Sequence, residues 1–137
     1  MNNSSFKIRD IKIEDKNDWG MLFQKYADFY KIEINEDIVS TVWQWLHASE
    51  HELQALVGEI HNQVVAFAHY RRMPSPLRGK DIGFLDDLYV HPDFRGQKIG
   101  EKLIEQLKQI SKEKNWNLVR WITRDNNARA KKLYDKI

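Results

Sequence analysis

The sequence predicts an α/β fold, one mixed sheet with helices on both faces, in a single domain spanning residues 1–137. Three observations carry this expectation. Apolar residues alternate in five short stretches and recur at helical spacing in four longer ones. A strand-helix-strand order near the end fits a parallel crossover, while the middle strands, joined by short turns, fit an antiparallel meander. The balance of 42% hydrophobic and 31% charged residues is that of a globular chain with a core of its own.

The elements follow in order. "FKIRDIKI" (6–13) alternates as a first strand. Asp15 stands where a cap belongs before "KNDWGMLFQKYADFY", whose Trp19, Leu22, Phe23, Tyr26 and Phe29 or Tyr30 share one helical face. Asn35 is a second cap, before "EDIVSTVWQWLHA". "LQALVGEI" and "QVVAFAHYRRM" flank His61-Asn62 and read as a hairpin. "PSPLRGK" (74–80) is expected to be a loop, and "IGFLDDLYV" (82–90) a further strand. From about Gln97 to Lys114 the positions Ile99, Leu103, Ile104, Leu107 and Ile110 make an amphipathic helix. "NLVRWIT" (117–123) is another strand, and "NNARAKKLYDKI" a last helix.

Cysteine is absent, which removes disulfides, cysteine-zinc sites and thiol nucleophiles from consideration. With no signal-type segment and no run of 18 apolar residues, a cytoplasmic protein without a membrane partner is expected. The net charge of +2 hides a split: residues 1–94 hold 10 Lys/Arg against 15 Asp/Glu, and residues 95–137 hold 12 against 5. An anionic ligand for the second part would match it. Nucleic acid is not expected, because those cations are spread around two helices instead of forming one stripe.

"LDDLYVHPDFRGQKIGEKLI" hands a strand to a helix through a short basic loop with two glycines. A helix N-terminus carries amides without intrahelical partners and a positive dipole end, which together make an anion site. Gly96 allows a close turn, Gly100 falls in the first helical turn, and Arg95 and Lys98 can add charge. Neither the dinucleotide pattern G-x-G-x-x-G nor the P-loop pattern occurs.

This stretch resembles the acetyl-CoA-binding motif of the GNAT superfamily of N-acetyltransferases, [QR]-x-x-G-x-[GA]. "NNARAKKLYDKI" is similar to that family's next motif, an Asn followed seven residues later by a Tyr, here Asn127 and Tyr134. "FLDDLYV" is most similar to the polyamine and small-amine branch. The resemblance implies acetyl-CoA as acetyl donor, no metal, a small-molecule amine as acceptor and direct attack in a ternary complex. It implies that the backbone of Leu88 and Val90, around Tyr89, pairs with the pantetheine arm. It also implies that Arg95, Gly96, Gln97, Lys98, Ile99 and Gly100 surround the pyrophosphate, with Glu101 just beyond. Asn127 would lie beside the cofactor and Tyr134 would protonate the leaving thiolate.

Two departures stand out. Lys98 occupies the motif position that is normally Gly, so its side chain either crowds the phosphates or reaches them. The family usually continues past the position of Ile137 with Gly-Phe and closing strands. Without those C-terminal strands the strand at 117–123 would show an open edge, to be covered by further chain or by a partner. A homodimer is the expected assembly.

Acyl transfer needs a neutral amine, and at pH 7 an alkylamine of lysine-like pKa is neutral about once in 2,500 molecules. A carboxylate can take the proton. Asp86 and Asp87 are adjacent, so on a regular strand they face opposite sides and only one can face a given pocket. Resemblance favours Asp86 as the base and Asp87 as binder of a second ammonium. A backbone amide near Leu88 is the expected oxyanion donor. Tyr26, Tyr30 and Glu33 are candidates to line a cation-favouring acceptor groove. His47 and His51 are four apart, but Ala48 stands where a zinc-protease helix has Glu, and a surface pair is expected. Trp43 and Trp45 cannot share a helical face. A non-catalytic module that binds or senses acyl-CoA is the alternative to an enzyme.

Overall fold

The computed structural model describes residues 6–116 and 119–121. Its elements run β1 (Phe6–Asp10), α1 (Lys16–Phe29), α2 (Glu36–His47), β2 (Gln54–Ile60), β3 (Gln63–Ser75), β4 (Lys80–Val90), α3 (Ile99–Glu113) and β5 (Val119–Trp121). The five strands form one sheet in sequence order. β1 to β4 are an antiparallel meander, and β5 joins β4 in parallel, pairing Gly83 with Val119 and Leu85 with Trp121. The expected mixed sheet is therefore present, with the expected crossover helix α3.

Strand alternation divides the core in two. Leu56, Ala66, Ala68, Tyr70 and Leu85 pack against Ile99, Leu103, Ile104 and Leu107 of α3. Val57, Val64, Phe67 and Tyr89 on the other face pack against Trp19, Leu22, Phe23 and Tyr26 of α1 and Val42 of α2. Each helix buries one stripe, which its apolar spacing required.

Local signals behaved unequally. The Asn35 side chain accepts the Ile38 N–H at 2.9 Å and caps α2. His61 and Asn62 both take positive φ, as a two-residue hairpin needs. Asp15 does not cap α1. Its carboxylate accepts the Lys12 N–H and two bonds from Arg9, so it closes a 3-10 turn (Ile13–Asp15) that ends β1 early and feeds α1 directly. The expected loop at 74–80 shrinks to a turn, because β3 continues through Pro74 and Ser75. Pro74 is tolerated there because β2 begins opposite Tyr70, leaving that end of β3 with a free edge for a residue lacking an N–H. Of the two tryptophans on α2, Trp43 packs on Trp19 and Trp45 is exposed, stacked on His51. The predicted final helix, with Asn127 and Tyr134, lies outside the described residues.

Candidate active site

β4 leads into a 3-10 turn (Pro92–Phe94), then the loop Arg95–Lys98, then α3. The first α3 bond closing from the N-cap runs from the Lys102 N–H to the Lys98 carbonyl, so the amides of Ile99, Gly100 and Glu101 precede the hydrogen-bonded ladder. Gly96 turns at φ 83° and Lys98 at φ 63°, ψ 23°. The left-handed backbone at Lys98 accounts for the glycine normally found at this motif position: an L-residue there is strained by about 1–2 kcal/mol. Lys98→Gly relieves that strain and costs about 0.5–1 kcal/mol of unfolded-chain entropy. A net stabilisation of about 0.5–1 kcal/mol is expected from urea unfolding, and a loss of stability would count against the strain.

The Arg95 side chain is turned away from these amides. Its Nε donates to the Val90 carbonyl at 3.0 Å, and its guanidinium lies over Tyr89 at 5.2 Å and Phe29 at 5.7 Å. Lys98 is exposed on the same loop. Burial pushes the Tyr89 hydroxyl above its ordinary pKa, against the pull of Arg95.

The His91 N–H bonds to Val65 on β3 at 2.8 Å. Backbone groups alternate along a strand, so Asp87 and Tyr89 also address β3, while Leu88 and Val90 carry theirs on the β5 side. The described part of β5 pairs with Gly83, Phe84 and Leu85, and beyond them the Val90 carbonyl accepts Arg95 Nε at 3.0 Å.

Between Leu85 and Asp87 the sheet departs from regularity. Tyr70 pairs with Leu85 and His69 with Asp87, leaving Asp86 as the extra residue of a β-bulge. The facing pattern shifts with it: Leu85, Leu88 and Val90 all pack toward α3, three and then two residues apart. Asp86 accepts from Arg71 Nε at 3.0 and 3.3 Å, and Asp87 Oδ2 meets His69 Nδ1 at 2.8 Å. Arg71 and His69 are two apart on β3 and share a face, so both carboxylates stand on the α1 side. The expectation that they face opposite sides is overturned, because the bulge inserts one residue between them and the regular pleat.

Burial pushes the Asp86 carboxyl above its ordinary pKa and the Asp87 charge adds to the rise, against the opposing Arg71 contact. Tyr26 belongs to the buried core, with its ring against Phe67 and Tyr89. Tyr30 packs edge-on to Tyr26, and Glu33 is exposed on the loop between α1 and α2. No contact among the described residues ties Glu33 to the two carboxylates. Among the described residues no cluster of three His, Asp or Glu is placed to hold a metal ion. No described helix is long and apolar enough to cross a membrane. Neither Arg71 nor His69 stands out in the sequence; both needed the β3–β4 register.

The model of the acetyltransferase (GNAT) family matches residues 19–137. The chain belongs to the GNAT acetyltransferase family. Its relatives include the D-amino-acid N-acetyltransferase HPA3 of Saccharomyces cerevisiae, 26% identical over all of this chain and 86% of the yeast protein. The thialysine N-epsilon-acetyltransferase of Bos taurus is 29% identical over 93% of this chain and 79% of its own. Among solved structures, the aminoglycoside N-acetyltransferase AAC(6')-Iy in complex with CoA superposes with a TM-score of 0.80, at 16% identity, covering 96% of this GNAT chain and 85% of the other. That likeness concerns the fold. Within this GNAT chain the bulge, the strand edge after it and the amide turn before α3 lie on consecutive residues.

Proposed function

We propose that this GNAT chain transfers the acetyl group of acetyl-CoA to a primary amine, with a small amine or polyamine preferred to a peptide amine, by direct attack in a ternary complex. The observation that carries the reading is the bulge that puts Asp86, with its raised proton affinity, beside Asp87 at the head of the strand edge. The residues present fit acetyl-CoA: amides from Gly96 to Gly100 suit a pyrophosphate, and the outer edge of Leu88 and Val90 suits the amides of a pantetheine arm. When bound, acetyl-CoA supplies the activated acyl carbon.

Asp86 takes the proton from the ammonium, freeing the nitrogen lone pair for attack. An amide near Leu88 stabilises the oxyanion as the C–N bond forms. With the acetyl donor bound, Tyr134 would give its proton to the leaving thiolate, and the proton shed by the new amide nitrogen would restore the tyrosine. Asp87 binds a second positive charge on the acceptor. The relatives named for D-amino acids and thialysine support a small amine. Absence of cysteine supports the cytoplasm, and a homodimer belongs to the same reading.

Thiol release from acetyl-CoA across a panel of amines tests this. Release that depends on a small amine or polyamine is expected, and Tyr134→Phe should lower it while leaving CoA binding intact. Tight CoA binding with release for no amine would replace the enzyme by a sensing module.

A further inference from the structure

His69 is buried to 1% exposure in the middle of β3, with its ring between Phe23 at 5.3 Å and Phe67 at 4.6 Å. Its Nε2 lies 3.0 Å from Nε1 of the fully buried Trp19. An indole N–H only donates, so His69 Nε2 must present its lone pair. The neutral ring then carries its proton on Nδ1, which donates to Asp87 Oδ2 at 2.8 Å, the length of a hydrogen bond to a carboxylate. Protonating the second nitrogen would set two N–H groups against each other in a site closed to water.

We propose that His69, oriented by Trp19, is a positioning residue for the transfer: it holds the Asp87 carboxylate on the acceptor side of the sheet through a donated hydrogen bond and does not itself take the amine's proton. The inference rests on the function proposed above and deepens it. It separates the two carboxylates of the bulge. Asp87 keeps an N–H donor fixed from behind and stays an anion that can bind a cation. Asp86, in contact with Arg71, is left to accept the proton. A histidine in contact with a carboxylate is usually suspected of acid-base work. Here the Trp19 N–H blocks the nitrogen that would have to take the proton.

Among the described residues, the ionisable groups that share this face include Asp86 and Tyr89 on β4, Arg71 on β3, Arg120 on β5, Arg9 on β1 with its partners Asp15 and Glu59, Asp18 and Tyr26 on α1, and His47 behind Trp43 on α2. Of these, Asp86 and Arg71 adjoin the Asp87–His69 pair most directly, and neither reaches His69 Nε2, which Trp19 occupies.

The test is an NMR titration of the full chain without acetyl-CoA or amine. The His69 ring nitrogens are expected to show the Nδ1–H tautomer, with Nε2 accepting from the Trp19 indole, at about pH 7. His69→Leu should raise the titration midpoint of the Asp87 carboxyl carbon by about one pH unit, a tenfold change in proton affinity. His69→Asn, whose amide can donate from near the Nδ1 position, should recover most of that shift. With a reactive amine, His69→Leu should raise KM about tenfold with a smaller fall in kcat, and the Asn variant should reverse part of it. An Nε2–H tautomer at that pH, or an Asp87 midpoint equal in wild type and His69→Leu, would overturn the proposal. If His69→Leu does not fold, Trp19→Phe serves: its His69 ring should lose the single tautomer, and an unaltered ring overturns the proposal. Because the titration needs no turnover, thiol release failing for every amine while the midpoint shift persists would retire the transfer and leave the hold of His69 on Asp87 standing.

Discussion

Asp86→Asn is expected to lower turnover of an alkylamine by about 10²- to 10⁴-fold, the usual range for losing a general base. The substitution keeps the shape of the side chain and one acceptor for Arg71, whose Nε lies 3.0 Å from the carboxylate. A fall in rate is therefore not expected to come from a collapsed bulge. The pH profile carries the sharper test. As the proposed base, Asp86 would act only when ionised, and burial raises its proton affinity. The rate should accordingly climb with pH through a midpoint above the ordinary carboxylate value of about 4, and the limb should disappear in the Asn variant. Arg71→Met removes the larger of the two influences that oppose the rise, the other being His69, so its limb should move to higher pH. A profile of kcat/KM that is the same in wild type and Asp86→Asn would place the base elsewhere.

Most of the sheet and every described helix were legible because their signals are local. Apolar spacing marked the buried stripes of α1 and α3, and Asn35 and His61-Asn62 marked a cap and a turn through their own backbone chemistry. The site was legible only up to the bulge. From Ser75–Lys80 to Tyr70–Leu85 the β3–β4 register is regular, and continuing it would set Asp86 opposite His69. One inserted residue sets Asp87 there and turns both carboxylates to one face. No residue type at the bulge announces it, since no glycine stands there to mark strained backbone. Asp15 failed as a cap because Arg9, at the end of the preceding strand β1, holds its carboxylate through a charged bond of 2.7 Å that outcompetes the α1 amides. Lys98 is the converse case. Its departure from the family pattern was visible in sequence, but the cost of it becomes definite only with φ at 63°.

Arg9→Met is expected to cost about 3–5 kcal/mol of folding stability, the usual loss when one partner of a buried ion pair is removed. Arg9 gives two bonds to Asp15, at 2.7 and 2.9 Å, and one to Glu59 at 2.7 Å. The two carboxylates keep only 6% and 8% of their side-chain surface exposed, so the variant leaves both charges buried, with Lys7 reaching Glu59 at only 3.8 Å. The sign of the pH dependence follows from Asp15. Burial raises its proton affinity, but the Arg9 bond and the Lys12 N–H overrule it, and the folded pKa lies below the ordinary 3.8. That contribution is present above the unfolded value and is lost as pH falls through the folded one. Without Arg9, burial is left to raise the proton affinity of Asp15, and acidification should relieve the variant. Urea midpoints should therefore differ most near pH 7 and converge below about pH 4. A difference under about 1 kcal/mol at pH 7, or one that stays constant with pH, would show that the cluster is not electrostatically coupled to folding. Asp15→Asn with Glu59→Gln in the Arg9→Met background should restore part of the loss, because no charge is then left unpaired. This cluster fixes the entry to α1, the helix that carries Trp19 to His69 and so to Asp87. A variant that folds but has lost the cluster should bind the acceptor amine less tightly, while the amide turn at α3, on the opposite face of the sheet, keeps its affinity for CoA.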